Sequence, residues 1–264
     1  MQSQQRRPLG VELEHLVDGR LLPDEREAVF VSGSLVAGWQ HANSDVDLYV
    51  ITDAEPASAP AAYSRVRLEP DLVPIVVGFA EGRRFDVEYW QEGQVDQVLA
   101  KVESFDLEGE ESAGSDLGAE EADFLYRLSV GVALEGEDWL RRRQTALEHS
   151  AIRPIFTSLA FNHADGFIED AVGLLRSGDH ETAILCAHRG FQLVVDGLLA
   201  HYGELSPSAK WRARKVHAAH PAELAWERYW ELETMRGLDL DRPATWVEDV
   251  LQECQRIMEA VDIG

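Results

Sequence analysis

Apolar positions keep a period of two over much of residues 28–90 and a period of three to four beyond residue 119, so the chain divides into a strand-rich first part and a helix-rich second. Residues 28–31 form a short β-branched run that ends at Gly33-Ser34, the pattern of a buried strand breaking into a turn. Residues 44–50 alternate as a second strand. Residues 72–80 and 83–90 alternate again around Glu81-Gly82 and predict a β-hairpin, which makes the sheet small and mixed. Helical spacing is expected over 11–27 and at Val95, Val98, Leu99 and Val102, whereas 61–68 reads as a short helix or irregular segment. After residue 119 every pattern is helical: 124–132, 139–147, a pair at 155–175 and 183–199 separated by Gly178-Asp179, then helices opened by Pro221 and Pro243. The expected division is 1–104 for the sheet domain, 105–118 for an acidic, Gly/Ser-rich linker, and 119–264 for a helical bundle. The predicted class is α+β.

Candidate chemistry concentrates in residues 29–51. A helix is expected to start just after Gly33-Ser34, and a glycine turn leading into a helix N-terminus offers backbone N–H groups and the Ser34 hydroxyl to an anion. On the following strand Asp45 and Asp47 are two residues apart and share a face, giving a pair of hard oxygen ligands beside that turn. Asp86 and Glu88 repeat the spacing on the strand over 84–90. Each piece alone is ordinary, because a lone Asp-x-Asp strand is usually a solvated edge and a lone Gly-Ser is usually a turn.

Together, Gly33, Ser34, Gly38, Ser44, Asp45 and Asp47 resemble the signature of the DNA polymerase beta-type minimal nucleotidyltransferases, in particular the kanamycin and streptomycin nucleotidyltransferases. The resemblance is at motif level in residues 29–104 and only architectural afterwards. It implies a small mixed-sheet nucleotidyltransferase domain followed by a helical domain that covers the acceptor. It also implies a third carboxylate on a later strand, which falls on Asp86, with Glu88 as the alternative. The implied reaction is attack of an acceptor hydroxyl on the α-phosphate of a nucleoside triphosphate, ATP first among them, with two Mg²⁺ ions held by Asp45, Asp47 and Asp86. Gly33, Ser34 and Ser44 would then bind the nucleotide, and Asp86 or a carboxylate of the helical domain would take the acceptor's proton. Two other readings stand beside this one: an antitoxin-like enzyme that modifies a partner protein, and a non-catalytic nucleotide sensor.

Charge narrows the acceptor. The 264 residues carry 48 acids against 24 bases, a net charge of −24, which argues against a nucleic-acid acceptor and suits a small, cationic one such as an aminosugar. The one basic cluster, 210–215, puts Lys210 and Arg214 on a shared helix face that could reach the triphosphate. His188, Arg189, Gln192 and Asp196 form a polar strip at helical spacing, from which Arg189 and Asp196 are weaker site candidates against the bland alternative of a solvated face. Cys186 and Cys254 lie in apolar helical patterns and read as reduced core residues. The first ten residues lack a signal-peptide pattern and no apolar run looks long enough to cross a bilayer, so the expected location is the cytoplasm, away from any membrane.

Overall fold

The computed structural model describes residues 10–41, 44–104 and 117–263. Its described residues separate into two compact units, one holding those up to 150 and the other holding 151–263.

The first unit is a six-stranded mixed sheet. Its strands are β1 (Ala28–Ser32), β2 (Val46–Ile51), β3 (Ala62–Arg65), β4 (Leu72–Ala80), β5 (Arg83–Trp90) and β6 (Val132–Glu135), in spatial order β3-β4-β5-β2-β1-β6. Every pairing is antiparallel except β2 with β5. β1 is buried along its whole length, which is why its sequence is continuously apolar rather than alternating. The β4–β5 hairpin turns at Glu81 and Gly82, both with positive φ (49° and 75°), the pair of left-handed residues that matches the twist of the flanking strands.

The two faces of the sheet differ. Val29, Val31, Leu48, Val50, Phe85, Val87 and Tyr89 point to one side, where they pack with Leu16 of α1 (Leu13–Asp18) and with Leu21 and Leu22. The residues between them, Phe30, Ser32, Asp47, Tyr49, Asp86, Glu88 and Trp90, point to the other. That second face receives α3 (Ala119–Val130), whose Phe124 stacks on Trp90 at a centroid distance of 3.9 Å and meets Tyr49 at 6.1 Å. The Ser32 hydroxyl donates to the Arg127 carbonyl at 2.9 Å, and Gln144 of α4 (Glu137–Glu148) donates to the Leu128 and Gly131 carbonyls at 3.0 and 2.9 Å. The C-terminal end of α3 is therefore fastened to the sheet. α2 (Glu92–Ala100) follows β5 directly.

Several expectations from sequence differ from the structure, among them the helix expected from Pro221, which begins only at Trp226. Residues 33–38 form an irregular turn and not a helix start, closed by Ala37 N–H to the Gly33 carbonyl and Trp39 N–H to the Ser34 carbonyl. Residues 62–65 are an edge strand, β3. Residues 132–135 are a strand inside the stretch expected to be all helical, because Val132 and Ala133 pair with Val31 and Phe30 of β1. For the same reason residues 119–150 belong with the sheet unit, and the boundary expected near 104 lies at 150 instead. The expected linker falls largely outside the described residues.

The second unit is helical. α5 (Ile152–Ser177) and α6 (His180–His201) form an antiparallel hairpin, turning at Gly178 with φ +86° and capped by Asp179, whose carboxylate accepts from Thr182 N–H at 3.2 Å. α7 (Arg212–Ala219), α8 (Trp226–Glu233) and α9 (Pro243–Ala260) complete it. In α9, Trp246, Val247, Val250, Cys254 and Ile257 are buried at helical spacing. Both cysteines are unbridged, Cys254 within this core and Cys186 half-buried. By length and composition α6 could cross a membrane, unlike the expectation above, but 61% of its apolar window is buried within the unit, the condition of a core helix.

Candidate active site

Strand pairing decides which acids meet. In the parallel β2–β5 register Asp47 lies beside Asp86 and Tyr49 beside Glu88, and in the β1–β2 register Asp47 lies beside Ser32. Asp45 immediately precedes β2. The Asp45 carboxyl is near enough to push that of Asp86 up. Burial pushes the Asp86 carboxyl above the usual carboxylate range, Arg84 pulls it back, and Asp45 raises it again. Arg84 clamps Asp86 through Nε at 2.9 Å and Nη2 at 3.1 Å.

Asp47 is differently engaged. Its Oδ2 accepts from Arg127 Nη1 at 2.8 Å, and Arg127 Nε donates to Asp123 Oδ2, one turn earlier on α3, at 3.1 Å. Burial raises the Asp47 carboxyl, Arg127 lowers it, and Asp45 and Asp123 raise it further. Of the three aspartates expected to act as one ligand set, Asp47 and Asp86 are strand neighbours, Asp45 is near enough to raise both, and Asp47 is turned to a guanidinium. Among the described residues no three His, Cys, Asp or Glu side chains stand in a metal-holding cluster.

The donor set still suits a divalent cation on two observations. Asp86 paired beside Asp47, with Asp45 near enough to raise both, gathers like charges that a cation would neutralise, and carboxylate oxygens are the ligands Mg²⁺ takes. Gly33 supplies the second. Its φ is +70°, and a Cβ there would fall on Asp47 Oδ2 and Arg127 Nη1; the glycine leaves room for charged groups to close on the backbone of the turn. Gly33→Ala is expected to cost about 1–3 kcal/mol through strain and displaced charge, read as a lower midpoint in thermal unfolding.

The other predicted residues fall as follows. Ser34 lies in the 33–38 turn. The Ser44 hydroxyl accepts from His41 N–H at 3.0 Å and lines, with His41, Arg83 and Arg84, a cleft of about 670 Å³. Glu88 lies deeper on the same face, accepting from Trp90 Nε1 at 2.9 Å and from the Tyr49 hydroxyl at 3.5 Å; burial pushes its carboxyl up to about 7, the Trp90 N–H acting in the opposite sense. Lys210, Arg214, Arg189 and Asp196 belong to the helical unit. Lys210 and Arg214 both lie over the Trp211 ring, at 5.2 and 4.9 Å. Arg189 donates to Gln192 at 3.4 Å. Asp196 is paired through both oxygens with Arg212 at 2.8 Å, so that end of the strip belongs to an internal network, while Arg189 is exposed.

Sequence reasoning missed Arg84, Asp123 and Arg127. Arg84 precedes Asp86 by two residues and so shares its face, a signal that was present. Asp123 and Arg127 show an i,i+4 pair on a predicted helix, but nothing in the sequence ties that helix to Asp47.

A solved structure of a nucleotidyltransferase-like protein from Exiguobacterium sibiricum is similar to this chain at a TM-score of 0.49 and 12% identity, covering 90% of this chain and 70% of that one. No protein-family model and no curated protein matches the chain.

Proposed function

We propose that the protein transfers a nucleoside monophosphate, AMP first among the candidates, from a nucleoside triphosphate to a hydroxyl of a small acceptor, releasing pyrophosphate. The observation that carries this reading is the pairing of Asp47 with Asp86 on adjacent strands, with the Gly33 turn against Asp47 and Asp45 near enough to raise both carboxyls. A solvated strand edge would hold such acids apart.

Asp45, Asp47 and Asp86 would hold divalent cations. When bound, these supply the Lewis-acid charge that activates the attacking oxygen and neutralises the leaving pyrophosphate. The protein's own residues supply the rest. The backbone of the 33–38 turn and Ser34 cradle phosphate oxygens, while Arg84 orients Asp86. Asp86, 31% exposed and raised by burial, is the carboxylate an acceptor can reach. It takes the hydroxyl proton as the acceptor oxygen bonds to the α-phosphorus and the bond to the bridging oxygen breaks. A face carrying Asp45, Asp47, Asp86, Glu88 and Asp123, in a chain of net charge −24, favours a cationic acceptor such as an aminosugar and disfavours a phosphate backbone.

The test is to incubate the full-length protein with Mg²⁺, each of the four triphosphates and a panel of aminosugars and polyols, following pyrophosphate. Acceptor-dependent release with one triphosphate favoured is the expected result. Efficient labelling of a protein or an RNA in place of every small acceptor would overturn the small-acceptor reading, and no release with any partner would overturn the enzyme.

A further inference from the structure

We propose that Arg127 is a built-in counter-cation that holds Asp47 away from divalent ions until a phosphate-bearing ligand draws the guanidinium off. The inference rests on the nucleotidyltransferase reading above and adds a regulatory step to the same site.

Three observations carry it. Arg127 is only 20% exposed and bridges Asp47 at 2.8 Å and Asp123 at 3.1 Å, so its charge is compensated by two carboxylates on a half-buried face. It thereby occupies a position a metal ion bound to Asp47 would have to contest, since two cations on one carboxylate oxygen repel. The same guanidinium also lies against Gly33: a Cβ on that residue would collide with both Arg127 Nη1 and Asp47 Oδ2. The cation is therefore already at the turn assigned to phosphate, and a planar guanidinium is the side chain best shaped to exchange a carboxylate for a phosphate oxygen.

The backbone makes this exchange local. Ser32 fixes the Arg127 carbonyl, Gln144 fixes those of Leu128 and Gly131, and Phe124 is locked on Trp90. The helix stays in place, and only the end of the Arg127 side chain has to move. A purely structural ion pair needs no glycine beneath it. Here the glycine keeps Arg127, Asp47 and the turn close enough for one to replace another.

The experiment measures Mn²⁺ binding by electron paramagnetic resonance to the full-length protein without nucleotide and with a non-hydrolysable triphosphate, in wild type, Arg127→Met, Arg127→Lys and Asp47→Asn. Arg127→Met is expected to bind Mn²⁺ about tenfold more tightly than wild type without nucleotide, and to lose most of the gain in Mn²⁺ affinity that the triphosphate gives wild type. Arg127→Lys keeps the charge without the fork that spans two carboxylates, so it should fall between the two and serves if the methionine variant does not fold. A structural role predicts unchanged or weaker binding on removing the arginine. Equal nucleotide-free affinity in wild type and both Arg127 variants, with Asp47→Asn weakened, would overturn the gate and leave the catalytic reading standing. Absence of Mn²⁺ binding in every variant, triphosphate included, would overturn both.

Discussion

Asp45→Asn and Asp47→Asn are each expected to lower acceptor-dependent pyrophosphate release by about three orders of magnitude, the several kcal/mol of charge stabilisation that divalent ions supply to phosphoryl transfer. Asparagine keeps the size of the side chain and the β2 register, so the loss is one of charge and not of shape. Stability should change little at Asp45, which is partly exposed. At Asp47 it should fall slightly, because Arg127 keeps Asp123 as its remaining partner. Glu88→Gln is the informative contrast. Its carboxyl is engaged by Trp90 Nε1 and Tyr49 and lies further along β5 than Asp86, so the variant should retain most of the activity. Steady-state pyrophosphate assays at saturating triphosphate, paired with thermal melts, separate these effects. A Glu88→Gln loss as deep as that of Asp45→Asn would move the catalytic carboxylate from Asp86 to Glu88.

The strands were legible because β2 and β5 turn one face to the apolar core around α1 and carry acids on the other, which enforces alternation. Where both faces are covered, as for β1, the continuous apolar run carried the same message. The turn after β1 misled: Gly33-Ser34-Leu35-Val36-Ala37 could serve as a helix start, but it closes into a turn with Trp39 N–H on the Ser34 carbonyl, and no local signal separates the two outcomes. β6 was hidden for a different reason. Val-Ala-Leu-Glu is a sound helical tetrapeptide, and its strand conformation comes from pairing with β1, a partner about a hundred residues away. Missing β6 also misplaced α3, and with it Arg127. The acids of the site were therefore readable from spacing on single strands. The arginine that holds one of them depends on a tertiary contact, and periodicity within one segment cannot report it. Asp196 shows the opposite failure, since a polar strip at helical spacing has the same sequence whether it faces water, substrate or a buried arginine.

That buried arginine gives the largest expected change in stability. Arg212 is 3% exposed, donates to both oxygens of Asp196 at 2.8 Å and approaches Glu233 Oε1 at 3.4 Å. Lys215, 1% exposed, donates to the Ser206 carbonyl at 2.8 Å and stands 4.0 Å from Asp196. Burial pushes the Lys215 ammonium below its ordinary pKa, with Asp196 pulling it back, so Asp196 serves two buried cations at once. Arg212→Ala removes the fork and leaves Asp196 and Glu233 without their main counter-charge, a loss of about 3 kcal/mol of the kind seen when one partner of a buried pair is deleted. Urea unfolding of the full-length protein, followed by fluorescence of tryptophans that include Trp226 and Trp246 of the same unit, measures it as a lower midpoint. Asp196→Leu combined with Arg212→Met should recover part of the loss, because neither charge of the pair is then buried alone, Glu233 keeps Gln192 Nε2 at 3.1 Å, and Lys215 keeps the Ser206 carbonyl and the charge of Glu204. If the double variant is no more stable than Arg212→Ala, the penalty comes from packing around the arginine stem and not from stranded charge.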